Sequence, residues 1–378
     1  MTPAFKIVSL GNGQNYADDW SSILEDLSVS NQSDGKADIL RVLLSDTAGT
    51  LSVPSKGDKV KVALGEDGNL LWIGIYVIDE IGIEGPPDKI EIVGKACPFD
   101  DAAGWAAMQT RRSRSWDNIT LGQLVAGIAA EHGLTPAVAS ELQNVTVSHI
   151  DQTSESNINL LARLARTYDA VFKPASGRLV FATTNGGAIS GSAMPALAIV
   201  RGAGMRFKCK FVQSTDFACV KTEYHDLNTG ETKAVQSGIE SQSAKVYRDA
   251  AMQPDEATAK HRAKSRLKGF KKGSHGLALD LPGIWQATCQ QSVQASGFRP
   301  EVNGQWIVKK VEFNLSRSTG LRTRLDCEAP GTATGTAQTL GGIVPAGAPL
   351  GNADGSDDAE TPNDGEEQDN TEPTETDS

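Results

Sequence analysis

The sequence predicts a β-dominated α+β protein in which two β-barrel domains flank a helical and hairpin insert, with a disordered acidic tail at the end of the chain. Three observations carry this reading. Short stretches of alternating apolar and polar residues, punctuated by Gly and Pro, fill residues 59–94 and recur from Ala218 to Cys327, as in a closed or nearly closed barrel of many short strands. Residues 120–181 break the pattern with two runs of helical period and a tight hairpin. Residues 352–378 hold eleven carboxylates and no base. The domain boundaries that follow are 1–100 for the first barrel, 101–200 for the insert, 201–330 for the second barrel with one helix, and 331–378 for a Gly/Thr linker and the tail.

In the first barrel, residues 59–64 set Val60, Val62 and Leu64 on one face and Lys59 and Lys61 on the other. Gly65-Glu66-Asp67-Gly68 turns the chain, and residues 70–81 run back as the second strand of a hairpin. Pro86-Pro87 makes the next corner, Ile90, Ile92 and Gly94 continue the alternation, and Cys97-Pro98 ends the domain.

The insert opens on a helix with Thr120 as N-cap and Gln123 at N3, a capping box that satisfies orphan backbone donors. Leu121, Leu124, Val125 and Ile128 fall on one face, and His132-Gly133 followed by Pro136 ends the helix. A connector ending in His149-Ile150-Asp151-Gln152 leads to a second helix with Ser154 as N-cap. Its apolar stripe is Ile158, Leu161, Leu164, Ala165 and Tyr168, with Arg163 and Arg166 facing elsewhere. Residues 170–173 and 178–181 then alternate at period two around Ala175-Ser176-Gly177, a hairpin with Gly in the turn. A third helix is expected over 255–268, introduced by Pro254 and stopped by Gly269.

Composition narrows the function classes. Outside the tail, 36 acids face 36 bases, so the folded part is neutral and the net charge of −11 belongs to the tail. That tail of Asp, Glu, Gly, Asn, Pro and Thr reads as a solubilising end. No apolar run approaches the roughly 18 residues of a membrane span. The opening Met-Thr-Pro-Ala-Phe-Lys-Ile-Val has no signal-peptide pattern, which leads us to expect a cytoplasmic product. Cys97, Cys209, Cys219, Cys289 and Cys327 show no Cys-x-x-Cys spacing and are expected to be reduced and mostly buried, with neither zinc nor a disulfide framework signalled.

The sequence signals no catalytic, cofactor-binding or metal-binding set. His132, His149, His225, His261 and His275 are scattered, and no His-Glu-x-x-His or Gly-x-Ser-x-Gly occurs. Gly11-Asn12-Gly13 and Gly202-Ala203-Gly204 lack the third glycine and following helix of a dinucleotide site and read as turns. Two basic runs, Arg111-Arg112-Ser113-Arg114 and Lys260, Arg262, Lys264, Arg266, Lys268, Lys271 and Lys272, raise the question of phosphate contact. Alternate positions spread around a helix, so the second run reads as a solvated surface and the first as an interface or loop-anchoring run.

The string His149-x-Asp151-Gln152-x-x-Glu155-Ser156, then Asn-Leu-Leu-Ala-Arg-Leu-Ala-Arg over 159–166, then Gly-Arg-Leu-Val-Phe over 177–181, resembles the late control protein D family of phage tails. Residues 37–40 and 54–65 are similar to the family's first barrel, and residues 303–308, 315–316 and 323–325 to its last; the likeness is faint between Ala182 and Asn228. The resemblance implies a non-enzymatic baseplate hub of a contractile tail with two barrels similar to each other. It also implies a homotrimeric ring that adapts a sixfold tail tube to a threefold central spike. The partners implied are the spike, the tail tube or neighbouring baseplate proteins, and the tape measure protein, with no membrane insertion and no specific nucleic-acid binding. His149 and Asp151 lie in the resembling motif and take a structural role. A tail-associated peptidoglycan hydrolase and a DNA-contacting channel protein are the competing classes.

Overall fold

The computed structural model describes residues 3–33, 38–96, 102–175, 177–184, 195–212, 217–226, 229–241 and 245–330. Cys97-Pro98, Ser176, the linker and the acidic tail lie outside the described residues.

Ahead of the insert come β1 (Pro3–Ser9), the short α1 (Ala17–Trp20), β2 (Leu24–Gln32), β3 (Ile39–Ser45), β4 (Lys59–Glu66), β5 (Asn69–Glu84) and β6 (Lys89–Ala96). They pair in the order β1-β4-β5-β6-β3-β2, every neighbour antiparallel. The expected β4–β5 hairpin is present: Glu66 pairs with Asn69 across Asp67-Gly68, and Gly68 takes φ +84°, which a residue without Cβ adopts freely. Val60, Val62 and Leu64 are fully buried, as the alternation requires.

The insert contains α2 (Ala102–Gln109), β7 (Arg111–Thr120), α3 (Leu121–Glu131), β8 (Thr135–Val138), α4 (Ser140–Gln143), β9 (Thr146–Ser156), α5 (Asn157–Thr167), β10 (Ala170–Ala175) and β11 (Arg178–Thr183). Both halves of the Thr120/Gln123 capping box form, and Leu121, Leu124, Val125 and Ile128 are buried. The β10–β11 hairpin closes at Ala175 and Arg178 with Gly177 at φ +71°, and β8 adds a parallel third strand. These elements enclose a core of their own, built around Leu124, Ile128, Leu160, Leu164, Phe172 and Phe181.

After the insert follow β12 (Leu197–Val200), β13 (Arg206–Phe211), β14 (Cys219–Asp226), β15 (Glu231–Gly238), β16 (Val246–Gln253), α6 (Glu256–Gly273), β17 (His275–Pro282), β18 (Ser292–Ser296), β19 (Gly304–Ser316) and β20 (Gly320–Glu328). Six of these strands pair as β13-β17-β20-β19-β18-β12.

Four expectations change here. The two six-stranded sets are one twelve-stranded sheet, joined where β2 pairs with β19 from Asp26↔Ser316 to Gln32↔Lys310. Hydrogen-bonded closure of either set into a separate barrel is not found among the described residues. The reason is packing: Leu27, Val29, Val311, Phe313 and Leu315 all point into one shared core, and an open edge at β2 or β19 would expose them. The strands at 219–253 leave that sheet and form a small one, β15-β14-β16, covered by α6 through Val220, Ala263 and Leu267. The N-cap of α5 is Ser156 rather than Ser154, because β9 stays paired with β7 as far as Arg111↔Ser156. Helix α6 continues past Gly269 to Gly273, held by Phe270 against Phe217 and Tyr247.

Candidate assembly surface

Helix α3, strand β7, strand β9 and the start of α5 meet at a polar knot. Arg114 on β7 donates to Gln152 Oε1 at 2.9 Å and to Asn157 Oδ1 at 3.0 Å, and pairs with Glu131 at the end of α3. Arg112 joins the same carboxylate at 3.0 Å. Gln152 and Asn157 are fully buried, and Asn157 also meets Glu131 and His132. Burial would raise the Glu131 carboxyl, but hydrogen bonds and charge from Arg114, Asn157 and Arg112 outweigh it and hold the group below its ordinary value of 4.5. Burial and the Arg112 charge push His132 down. So the basic run at Arg111 is an anchor inside the insert.

A depressed carboxyl stabilises the fold fully above its unfolded pKa and loses that contribution as pH falls through the folded value. The expected result is that wild-type stability to urea falls below about pH 4.5. Glu131→Gln is expected to cost about 1–3 kcal/mol at pH 7 and to flatten this acid limb, read from urea midpoints across pH.

His149 sits between two carboxylates, with Nδ1 2.6 Å from Asp117 and Nε2 3.2 Å from Asp151. Those two hydrogen bonds raise its pKa. Glu155 pairs with Arg163 at 2.8 Å, and Ser156 caps α5. The motif from His149 to Ser156 therefore staples β7, β9 and α5 together, a structural role. An open polar cleft of about 430 Å³ beside it is lined by residues such as Arg111, Asp151, Ser154, Asn159 and Arg163. Its lining carries two cations and two carboxylates.

Ion pairs also fix the insert to the rest of the described chain. Lys173 on β10 reaches Asp38 at 2.7 Å and Asn31 at 3.2 Å. Asp169, between α5 and β10, takes Lys268 at 3.1 Å and Lys272 at 2.9 Å from α6. Ser265 donates to Arg166 O at 2.6 Å. Helix α6 also faces Asp249, which pairs with Arg262 at 2.6 Å and Arg266 at 3.5 Å. Of the basic run read as a solvated surface, Arg262, Arg266, Lys268 and Lys272 are thus bound to carboxylates, and Lys272 is buried.

Among the described residues no group of three or more His, Cys, Asp or Glu is placed to hold a metal. Cys219 and Cys327 are buried, while Cys209 and Cys289 are half-buried, and none of the four is joined in a disulfide among the described residues. Gly13 and Gly204 adopt φ +72° and +75°, the turns expected of both glycine pairs. No helix among the described residues is long and apolar enough to cross a membrane.

What remains is surface. Trp72 stands 45% exposed on β5 with the Lys61 ammonium 4.1 Å from its ring, and Ile83, at 78% exposed, lies near the far end of the same strand. The sequence pattern did not single out these residues, since exposure on a strand depends on which neighbours pair with it.

Comparison with known proteins adds to this geometry. Residues 101–319 match the profile of the phage tail baseplate hub (GPD) family. The chain is 26% identical to a probable baseplate hub protein of Escherichia phage 186, over 87% of this chain and 93% of that one. Its fold is similar to that of a tail protein from Neisseria meningitidis MC58, with a TM-score of 0.65, 15% identity, and coverage of 88% of this chain and 98% of that one. It is also similar to an Escherichia coli component of the type VI secretion system described as resembling T4 bacteriophage tail proteins. There the TM-score is 0.51 at 10% identity, covering 82% of this chain and 74% of that one.

Proposed function

Because the chain belongs to the phage tail baseplate hub family, we propose that it is the hub of a contractile-tail baseplate: a homotrimeric ring joining a sixfold tail tube to a threefold central spike. The supporting observation is the twelve-stranded sheet, made of six strands from before the insert and six from after it. Three copies would present six such units around a channel, which reconciles the two symmetries. In this reading the first barrel domain is 1–100, the insert 101–200, and the second barrel domain 201–330, from which 219–253 depart to support α6. One contact favours a barrel-like second unit. Phe207 on β13 meets Phe298, beyond β18, with ring centroids 5.2 Å apart.

The hub acts through its surfaces and without turnover. Its partners are two further copies, the spike, the tail tube or neighbouring baseplate proteins, and the tape measure protein. Native mass spectrometry of the chain, alone and co-expressed with its spike, should show three copies. A chain that stays monomeric alone and also fails to associate with its spike overturns the ring. Cleared zones in a peptidoglycan gel would overturn the non-enzymatic reading, and salt-sensitive retardation of DNA would favour a nucleic-acid contact instead.

A further inference from the structure

Among the strands of the large sheet that leave an edge unpaired in the described residues are β5 and β13. β5 outruns β4, for its pairing with β4 stops at Val77 whereas its pairing with β6 continues to Glu84. β13 lies at one end of the sheet path and pairs with β17 alone. An unpaired edge presents a row of N–H and C=O groups to which another chain can add.

The two edges carry opposite charge, each on one face of its strand. On β13, Arg206, Lys208 and Lys210 are exposed at every second position, with no ion-pair partner among the described residues. On β5, Glu80 and Glu84 are exposed with Gly82 between them, and neither makes an ion pair among the described residues. Lys89, near Glu84, is bonded to Glu25 at 2.7 Å, and Asp79 to Lys95 at 2.7 Å. The alternate positions are apolar on both strands. Ile81 and Ile83 stand in register with buried Ile92 and Ile90. Phe207 and Cys209 pack on the core, and Phe211 is 39% exposed. Gly82 is open: a Cβ there would meet only Glu91 Cβ, at 3.9 Å. A glycine of this kind leaves room for another backbone to approach.

The geometry points to edge-to-edge β-pairing between copies, with residues 79–84 of β5 in one copy set against β13 of the next. In register, the carboxylates of Glu80 and Glu84 face cations of Arg206, Lys208 and Lys210, while Ile81 and Ile83 lie beside Phe207, Cys209 and Phe211. This inference rests on the ring reading. Each copy uses its acidic edge once and its basic edge once, as a closed head-to-tail ring requires, and repetition around the ring multiplies a modest contact.

The test is charge reversal in the full chain, followed by native mass spectrometry and light scattering. Lys208→Glu with Lys210→Glu is expected to weaken assembly roughly tenfold or more, and Glu80→Lys with Glu84→Lys likewise. All four substitutions in one chain should restore it, since the edges are again complementary. If either reversed pair misfolds by circular dichroism, Lys208→Gln with Lys210→Gln replaces it, with weakened assembly expected. A wild type that assembles together with reversed pairs that assemble equally well overturns the edge pairing and leaves the ring standing; the lysines then serve only to keep β13 unpaired. Failure of the fourfold swap to restore assembly also overturns it. A wild type that never assembles sinks the ring reading itself.

Discussion

Asp169→Ala is expected to lower stability by about 3–5 kcal/mol and to loosen the insert from α6. Asp169 adopts φ +50°, a left-handed conformation that Asp and Asn tolerate better than other residues with a side chain, and Ala there adds strain. Its carboxylate binds Lys268 and Lys272 and accepts a 2.8 Å hydrogen bond from Thr184. The Lys272 side chain is only 7% exposed, so removing its partner leaves a buried ammonium held by the Thr184 hydroxyl. That unpaired charge is where most of the loss arises. Asp169→Asn keeps the backbone preference and an acceptor and should cost less. Adding Lys272→Met to Asp169→Ala should recover part of the loss, because the orphan charge goes with it. Urea unfolding at pH 7 measures all three. Hydrogen exchange should show protection falling first in α5 and β10. Equal loss in Asp169→Ala with and without Lys272→Met would mean that strain, not charge, dominates.

Local grammar was legible in the sequence. The Thr120 capping box, the Asp67-Gly68 turn and the Gly177 hairpin depend on residues within a few positions of one another, and each forms where the pattern places it. Departures occur where a distant partner decides. Ser154 has the composition of an N-cap, but pairing with β7, about forty positions earlier, carries β9 on to Ser156. Gly269 has the composition of a stop, yet Phe270 finds Phe217 and Tyr247 and the helix gains another turn. Lys268 and Lys272 look solvated until Asp169 is folded beside them. The candidate surface was hidden for the same reason. An edge strand differs from an internal one only in its neighbours, and the alternation of β13 or of residues 79–84 is the same in either setting.

Phe313→Ala is the second large expected effect, and it tests whether the two strand sets stand as one body. Phe313 on β19 is 2% exposed and in register with Val29 on β2 and Thr323 on β20. It shares a core with Leu27, Val42 and Val62 from before the insert and with Leu279, Val311 and Leu325 from after it. Truncating a buried Phe removes its transfer free energy and leaves a cavity that the surroundings fill only in part, a cost of about 3–5 kcal/mol. With two separate cores, calorimetry would show one transition displaced and another untouched. A shared core predicts that the strands on both sides melt together, so Phe313→Ala should shift a common transition for β3 and β17 alike, followed by hydrogen exchange at Val42 and Leu279. The distinction matters for the proposed ring, which would have to pass load from tube to spike. Two barrels on a flexible joint would absorb displacement at the joint, whereas a continuous sheet with one core carries it through the β2–β19 hydrogen bonds and the side chains packed beneath them.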